Sequence, residues 1–276
     1  VGTATITATA ADGSGKSATC TVTVTDGTTP SQPGGSTGGS SGGSSSGGGG
    51  GSSSTTPTKP ETATKPDGTK VETVTKPDGT KVETTTGKDG SVSKTETKTE
   101  TKPDGTKSET KSETKTDKNG VTSGTETTKT TTANGSTGMT VTTIENGESK
   151  TAAEAKVSSK AVEDAKKNGE AVKAPVEVEA TRNSNTAPTV KVELPKSAGE
   201  TKVEIPVSNA TPGTVAVLVH PDGTEEIVKN SVPTENGIQL TVDGSATVKI
   251  IDNSKGFIDT QDHWAKDAID FVSARG

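Results

Sequence analysis

The chain has 276 residues, of which only 24% are hydrophobic, and its mean hydropathy is −0.65. Ordinary globular domains contain about 45–50% apolar residues, so much of this chain cannot form a core. Its 30 basic and 36 acidic residues give a net charge of −6, which argues against a basic nucleic-acid-binding surface. The sequence contains no run of 18 apolar residues, so no membrane-spanning helix is predicted.

Residues 1–25 predict two strands in which apolar residues alternate with Thr and Ser. The string GTATITATAADGSGKSATCTVTV resembles the closing strands of a bacterial immunoglobulin-like domain of group 2, which implies an immunoglobulin-like strand pair at the cell surface. Cys20 is the single cysteine, so an internal disulfide or a cysteine metal cluster is excluded. We interpret it as a small buried residue rather than a nucleophile.

Residues 26–59 consist almost entirely of Gly, Ser, Thr and Pro. Such a segment has nothing to bury, and we expect a flexible, disordered linker.

Residues 60–147 form a Thr/Lys/Glu repeat. Asp-Gly or Asn-Gly pairs begin at residues 67, 78, 89, 104, 119 and 134, so a shorter interval between the first three pairs gives way to a longer one. These dipeptides favour two-residue type I′ turns. With such turns, parity predicts a single-layer β-meander that has one Thr/Ser/Val face and one Lys/Glu face.

The charges oppose that meander in part. Two-residue turns would place Lys102 opposite Lys107 and Glu100 opposite Glu109, and like charges in direct register are unfavourable. Few large apolar side chains are available to offset the cost of ordering the backbone. An ordered meander and an extended polyampholyte therefore both remain open, and either would act as a spacer.

Residues 148–169 predict a helical connector, because Thr151 and Glu154 fit a capping box and Asn168-Gly169 is a stop signal. Residues 170–254 then contain seven short apolar runs separated by turn signals. This pattern predicts a small β-sandwich, the one segment able to close its own core.

Residues 255–276 predict a short C-terminal helix capped by Asp262, with Trp264, Ala268, Phe271 and Val272 on one face. The segment closely resembles the first half of an S-layer homology module. The matching positions are Phe257, Asp259, His263, Trp264, Ala265, Ala268, Ile269 and Phe271. The resemblance implies an anchor that binds secondary cell-wall polysaccharide through complete repeats. The family's Arg-bearing second half would follow Gly276, so we expect this chain alone to bind that glycan negligibly.

These features predict a mainly β, non-catalytic segment of a bacterial surface protein, located outside the cell at the wall. It would space upstream domains of the same chain from the anchor, and the sequence has the character of a piece of a longer protein. No cofactor, metal or catalytic residue is predicted, because His220 and His263 are the only histidines and lack converging ligands. Two alternatives stay open: the tail of a secreted, wall-anchored hydrolase, and an adhesin whose β-sandwich binds a ligand.

Overall fold

The computed structural model describes residues 2–9, 17–24 and 60–276, with side-chain surroundings for 60–276. The chain divides into two units, Val1–Ser52 and Ser53–Gly276. In the first unit, β1 (Gly2–Thr9) and β2 (Ser17–Val24) pair antiparallel, with Ile6 opposite Cys20. The expected turn between these strands and the predicted linker at 26–59 lie outside the described residues.

The second unit begins with a meander of eight antiparallel strands, each paired with the next along the chain. The strands are β3 (Glu61–Thr64), β4 (Lys70–Thr75), β5 (Lys81–Thr86), β6 (Val92–Thr101), β7 (Lys107–Thr116), β8 (Thr122–Thr131), β9 (Thr137–Glu145) and β10 (Glu148–Lys156). The ordered meander, and not the extended polyampholyte, is therefore the structure of this segment.

The turns of the meander differ from the predicted type I′ geometry. Between β6 and β7, the N–H of Gly105 donates to Lys102 O at 2.9 Å and the N–H of Lys102 donates to Thr106 O at 2.8 Å. This is a three-residue loop whose last residue, Gly105, has φ +83°, and the other five repeat turns follow the same pattern. Only the turn between β9 and β10 has two residues, Asn146 and Gly147, both at positive φ.

This extra loop residue shifts the register by one position and overturns the predicted faces. Thr99 lies opposite Glu109 and Glu100 opposite Ser108, so the expected like-charge pairs do not form. From β4 to β7, each face instead carries charged and hydroxyl side chains on alternate strands. Like charges in one row are separated by a hydroxyl strand, at about 9.5 Å, which is close to the screening length at physiological salt.

The remaining strands complete a two-sheet sandwich. They are β11 (Val172–Lys173), β12 (Thr189–Glu193), β13 (Thr201–Pro206), β14 (Thr214–Val219), β15 (Glu225–Ile227), β16 (Val232–Thr234), β17 (Gly237–Val242) and β18 (Ser245–Asp252). The small sheet has the order β11-β13-β17-β16. The large sheet runs β15-β14-β18-β12-β10 and continues from β10 through the meander to β3, giving twelve strands.

The predicted sandwich is thus confirmed, but it is not separated from the repeat. Strand β10 pairs with β9 on one side and parallel with β12 on the other, so it joins the meander to the sandwich. The prediction of a helix over 148–156 was wrong, because these residues form strand β10. Apolar Ala153 and Ala155 alternate with more exposed polar residues and enter the core, because they face the small sheet.

Helix α1 (Ser159–Asn168) begins later than predicted. Ser158 is its N-cap and accepts a hydrogen bond from the N–H of Ala161 at 3.0 Å. The predicted stop is confirmed, since Gly169 adopts a left-handed conformation at φ +72°.

The core lies between the two sheets and under α1. Its fully buried side chains include Val190, Val203, Ile205, Ile238 and Ile250. A second, smaller cluster on the outer face of β14 contains Val215, Val217 and Ala274, the last from helix α2 (Lys266–Arg275). The chain therefore covers both faces of the large sheet at β14 but leaves the outer strands of the meander uncovered.

Candidate functional site

The residues that resemble an anchor module begin beside a short 3-10 turn (Ile258–Thr260), continue through the segment that leads into α2, and end on α2 itself. Trp264 is 91% exposed, Ile258 is 88% exposed and Phe257 is 44% exposed. Trp264 precedes the helix rather than belonging to it, because α2 starts at Lys266 with Ala265, not Asp262, at the N-cap. The motif thus presents an aromatic surface that nothing in the described residues covers.

His263 makes local contacts only. Its Nδ1 accepts the N–H of Ala265 at 3.2 Å, and its ring lies 5.5 Å from the Trp264 ring. These contacts hold the turn that leads into α2. His220, the other histidine, lies 3.6 Å from Glu226 on the hairpin of β14 and β15.

Helix α2 packs on the sheet with a different face from the apolar face that the sequence periodicity predicted to be buried. Ala268 and Val272 are exposed, whereas Asp270, Ala274 and Arg275 are buried. Asp270 pairs with Lys266 at 2.6 Å. This pairing satisfies a carboxylate that would otherwise be costly to bury.

Arg275 is the main attachment of α2. Its Nε and Nη2 donate to Ser231 O at 2.9 and 2.8 Å, and Nη2 also donates to Thr214 O at 3.0 Å. Nη1 donates to Phe271 O at 2.9 Å, and the guanidinium carbon lies 3.8 Å from the centre of the Phe271 ring. Burial lowers the pKa of the Arg275 guanidinium, and carbonyl oxygens rather than a carboxylate satisfy its donors.

A groove of about 1580 Å³ lies where the meander extends past the small sheet. Its floor is a row of hydroxyl side chains on β7 to β10. Ser108 Oγ and Thr130 Oγ1 are 3.4 Å apart, and the Oγ1 atoms of Thr142 and Thr151 are 2.9 Å apart. Its lining holds eight carboxylate residues and three lysines, so the groove is polar and acidic.

The small sheet's side of the sandwich approaches the meander most closely at one contact between two backbones. A Cβ placed on Gly138 of β9 would lie 1.8 Å from Pro175 O, in the segment that follows β11. Only glycine leaves room for this approach, and its φ is not in the left-handed region. Gly138 therefore fixes how closely the small sheet sits on the meander.

The loop aspartates of the meander form a repeated electrostatic feature. In Asp67, Asp78 and Asp104 the carboxylate accepts the backbone N–H two residues later, at 2.8 to 3.0 Å. These hydrogen bonds hold the pKa of each carboxyl below its usual range, because they stabilise the charged form. Their role is to fix the turns, since each partner belongs to the same loop.

Within residues 60–276, no group of three His, Cys, Asp or Glu side chains could hold a metal ion. No helix among the described residues is long and apolar enough to cross a bilayer. Comparison with protein-family models, with curated proteins and with solved structures found no match. The resemblances at residues 1–25 and 256–276 accordingly stay predictions.

Sequence reasoning missed Arg275 and the groove. Arg275 lies in the last turn of a helix, where a basic residue is expected for the helix dipole alone, so nothing in the residue pattern indicated its burial. Gly138 offered one signal: an isolated glycine inside a strand pattern indicates a close backbone approach.

Proposed function

We propose that this chain is a non-catalytic display segment of a bacterial cell-surface protein. It would hold upstream domains of the same chain away from an S-layer homology anchor that binds secondary cell-wall polysaccharide. The observation that carries the proposal is the meander from β3 to β8, which is ordered although both of its faces are polar and exposed.

The composition of the meander supports a spacer role. Between residues 60 and 131 the only buried side chains are Thr80 and Val82. Seven strand-to-strand steps from β3 to β10, at about 4.8 Å each, add roughly 34 Å of reach across the sheet. The alternating Lys and Glu side chains keep this surface hydrated without a strong net charge.

Pairwise strand deletion tests the spacer role. Removing residues 65–86 takes out β4, β5 and their loops, and leaves β3 joined to the loop before β6 with strand direction preserved. The sheet should shorten by two strands, about 10 Å. The measurement is antibody access to an epitope placed at Ser53 in the cell-bound, full-length protein.

The matched control duplicates residues 65–86, which should move the epitope outward by the same distance. Access should fall with the deletion and rise with the duplication, while wall retention stays constant. Equal access in all three proteins would contradict a spacer role.

The anchor half of the proposal needs a separate test. We expect this chain to bind purified secondary cell-wall polysaccharide negligibly, and a chain extended through complete S-layer homology repeats to bind it. The reason is that the segment from Phe257 to Arg275 offers an exposed aromatic surface, whereas its single arginine is buried against carbonyl groups. Equal pull-down by both chains would show that the polysaccharide is recognised by another part of the protein.

The groove favours a second candidate function, that of an adhesin. Hydroxyl groups on its floor and carboxylates on its walls suit a polar, positively charged ligand, such as a lysine-rich segment of a partner protein. Binding of a Thr/Lys peptide, but not of its Thr/Glu counterpart, would support this function. Replacement of Thr128 by Val should then weaken binding, and Thr127→Val on the opposite face is the matched control.

A further inference from the structure

We propose that strands β3 to β8 act as a reversible mechanical spring. Tension between the start of the meander and α2 would peel these strands away one at a time, while β9, β10 and the sandwich stay folded. The biological use of such a spring rests on the proposed spacer function; the extension itself is a property of the fold.

The strand order determines how force acts on the meander. Strand β3 is at the edge of the twelve-stranded sheet and pairs only with β4. A pull at Pro60 loads the Glu61 end of β3 first, where Glu61 pairs with Thr73. The interstrand hydrogen bonds therefore break one after another, and each contributes only modestly to stability by itself.

The same loading repeats at every later strand. Once β3 is free, its loop opens and the load reaches Lys70, which pairs with Thr86 at the near end of β5. Strand β4 is then the edge strand and peels from β5 in the same manner. Because consecutive strands are neighbours throughout, the load never shears a whole ladder at once.

Side-chain packing adds little resistance in this region. Thr80 and Val82 are its only buried residues. Most of its ion pairs, such as Lys111 with Glu113, join exposed groups within one strand, and one pair links Lys76, in the loop after β4, to Glu96 of β6 at 2.9 Å. Exposed pairs of this kind contribute little to stability. The ladder hydrogen bonds are therefore the main attachment of each strand.

Peeling should stop at β9, where contacts to the sandwich begin. Ser158 Oγ donates to Asn134 O at 2.6 Å, and the N–H of Ser158 donates to Ser136 Oγ at 3.1 Å. Pro175 packs directly on Gly138, and Ala153 and Ala155 of β10 belong to the sandwich core. At the far end, Arg275 attaches α2 to β14, so that the load passes through a packed body.

The repeat spacing sets the step lengths. Successive Asp-Gly and Asn-Gly loops recur at the shorter interval near β4 and β5 and at the longer interval from β6 onward. An extended chain spans about 3.3–3.6 Å per residue, so each peeled strand should release about 36–40 Å or about 50–54 Å. Hairpins re-form in about 1–10 μs, and relaxation should restore the sheet without a lag.

Optical-trap pulling of the full chain between handles at Pro60 and Gly276 tests the spring, because the load then bypasses the β1–β2 pair. The expected record is a series of small, reversible steps of the two lengths at low force, followed by one larger event when the sandwich unfolds. A single cooperative event that opens residues 60–276 together would overturn the proposal, as would steps unrelated to the two loop intervals.

A disulfide staple provides the matched variant. Thr110 and Thr128 are direct partners on β7 and β8, and direct partners lie at a Cα separation that a disulfide can bridge. In a Cys20→Ala background, Thr110→Cys with Thr128→Cys should remove about 55–60 Å from the low-force extension. Reductant should restore the lost length in the same molecule.

If the oxidised Thr110→Cys, Thr128→Cys variant kept the full low-force extension, β7 and β8 would not separate in this step. That result would refute the assignment of the low-force extension to peeling of the meander strands. The single Thr110→Cys variant should extend like the parent. Failure of the cell-surface spacer test would leave these steps unaffected, so the two proposals can fail independently.

Discussion

The close approach at Gly138 yields the sharpest prediction about stability. Replacing Gly138 with Ala would place a Cβ 1.8 Å from Pro175 O and 2.6 Å from Pro175 C, whereas real Cβ contacts stay beyond 3.0 Å. The two backbones must therefore move apart by about 1 Å or more before the close-packed contact can be restored. No flexible side chain can move aside to reduce this shift, because both sides of the contact are main chain.

Overpacking usually costs about 1–3 kcal/mol, and a backbone-to-backbone clash should fall at the upper end, at about 3 kcal/mol. The strain would act on the segment that joins the small sheet to the core. There the N–H of Ala174 donates to Glu204 O at 2.8 Å and the N–H of Val178 donates to Pro206 O at 3.2 Å. Amide hydrogen exchange at these two positions should accelerate by roughly a hundredfold, since about 1.4 kcal/mol corresponds to a factor of ten.

Two controls separate the clash from other effects. Gly120→Ala introduces only a left-handed backbone penalty, because Gly120 has φ +84° and nothing lies within 4 Å of its Cβ position. Thr140→Ala changes a side chain on the same strand without adding an atom. Neither should accelerate exchange at Ala174 or Val178, and an unchanged rate in Gly138→Ala itself would refute the packing argument.

Three further outcomes are expected. Arg275→Lys should weaken the docking of α2 by about 3 kcal/mol, because one ammonium group cannot serve the divergent carbonyls of Ser231, Thr214 and Phe271, and exchange of the α2 amides would report it. Since the pKa of Asp104 is lowered in the folded chain, its stabilising effect should be complete above about pH 4, the unfolded value, and disappear as the pH falls through the lower folded value. Nuclear magnetic resonance should show the protection of the Thr106 amide, relative to its intrinsic exchange rate at each pH, falling as Asp104 is protonated. Asp104→Asn should abolish this pH dependence of protection, and a dependence that survives the substitution would contradict the assignment. Gly105→Val should unpair the β6 and β7 hairpin, because a β-branched residue strongly disfavours φ +83°, whereas Lys107→Val should leave the hairpin intact.

One loop residue accounts for most of the difference between the sequence-based expectation and the structure. Asp-Gly and Asn-Gly pairs correctly located all six repeat turns, because positive φ strongly favours glycine there. They did not reveal whether Gly105 closes a two-residue or a three-residue loop. The structure has the longer loop, in which Pro103 takes the first position and Asp104 accepts the N–H of Thr106.

That single residue decided which side chains face each other and hence whether the charged strands could pair at all. The three-residue loop places Thr99 opposite Glu109, which removes the repulsion that had made an extended chain an equal alternative. Local preference at this loop also favours three residues, because Pro103 has no N–H for the closing pair of a two-residue loop and suits the first central position of a type I turn.

Residue order alone was enough to predict the mainly β character, the positions of the repeat turns, most of the sandwich strands and the stop of α1 at Gly169, but not the short strands β11 and β16. These features depend on local conformational preference and on hydrophobic alternation, both of which the order of residues contains. Tertiary contacts were needed to make 148–156 a strand, to join the meander and the sandwich in one sheet, and to bury Arg275 of α2. Each of these depends on a partner distant in the chain: β12 beside β10, Pro175 above Gly138, and the carbonyls of Thr214 and Ser231 around one guanidinium.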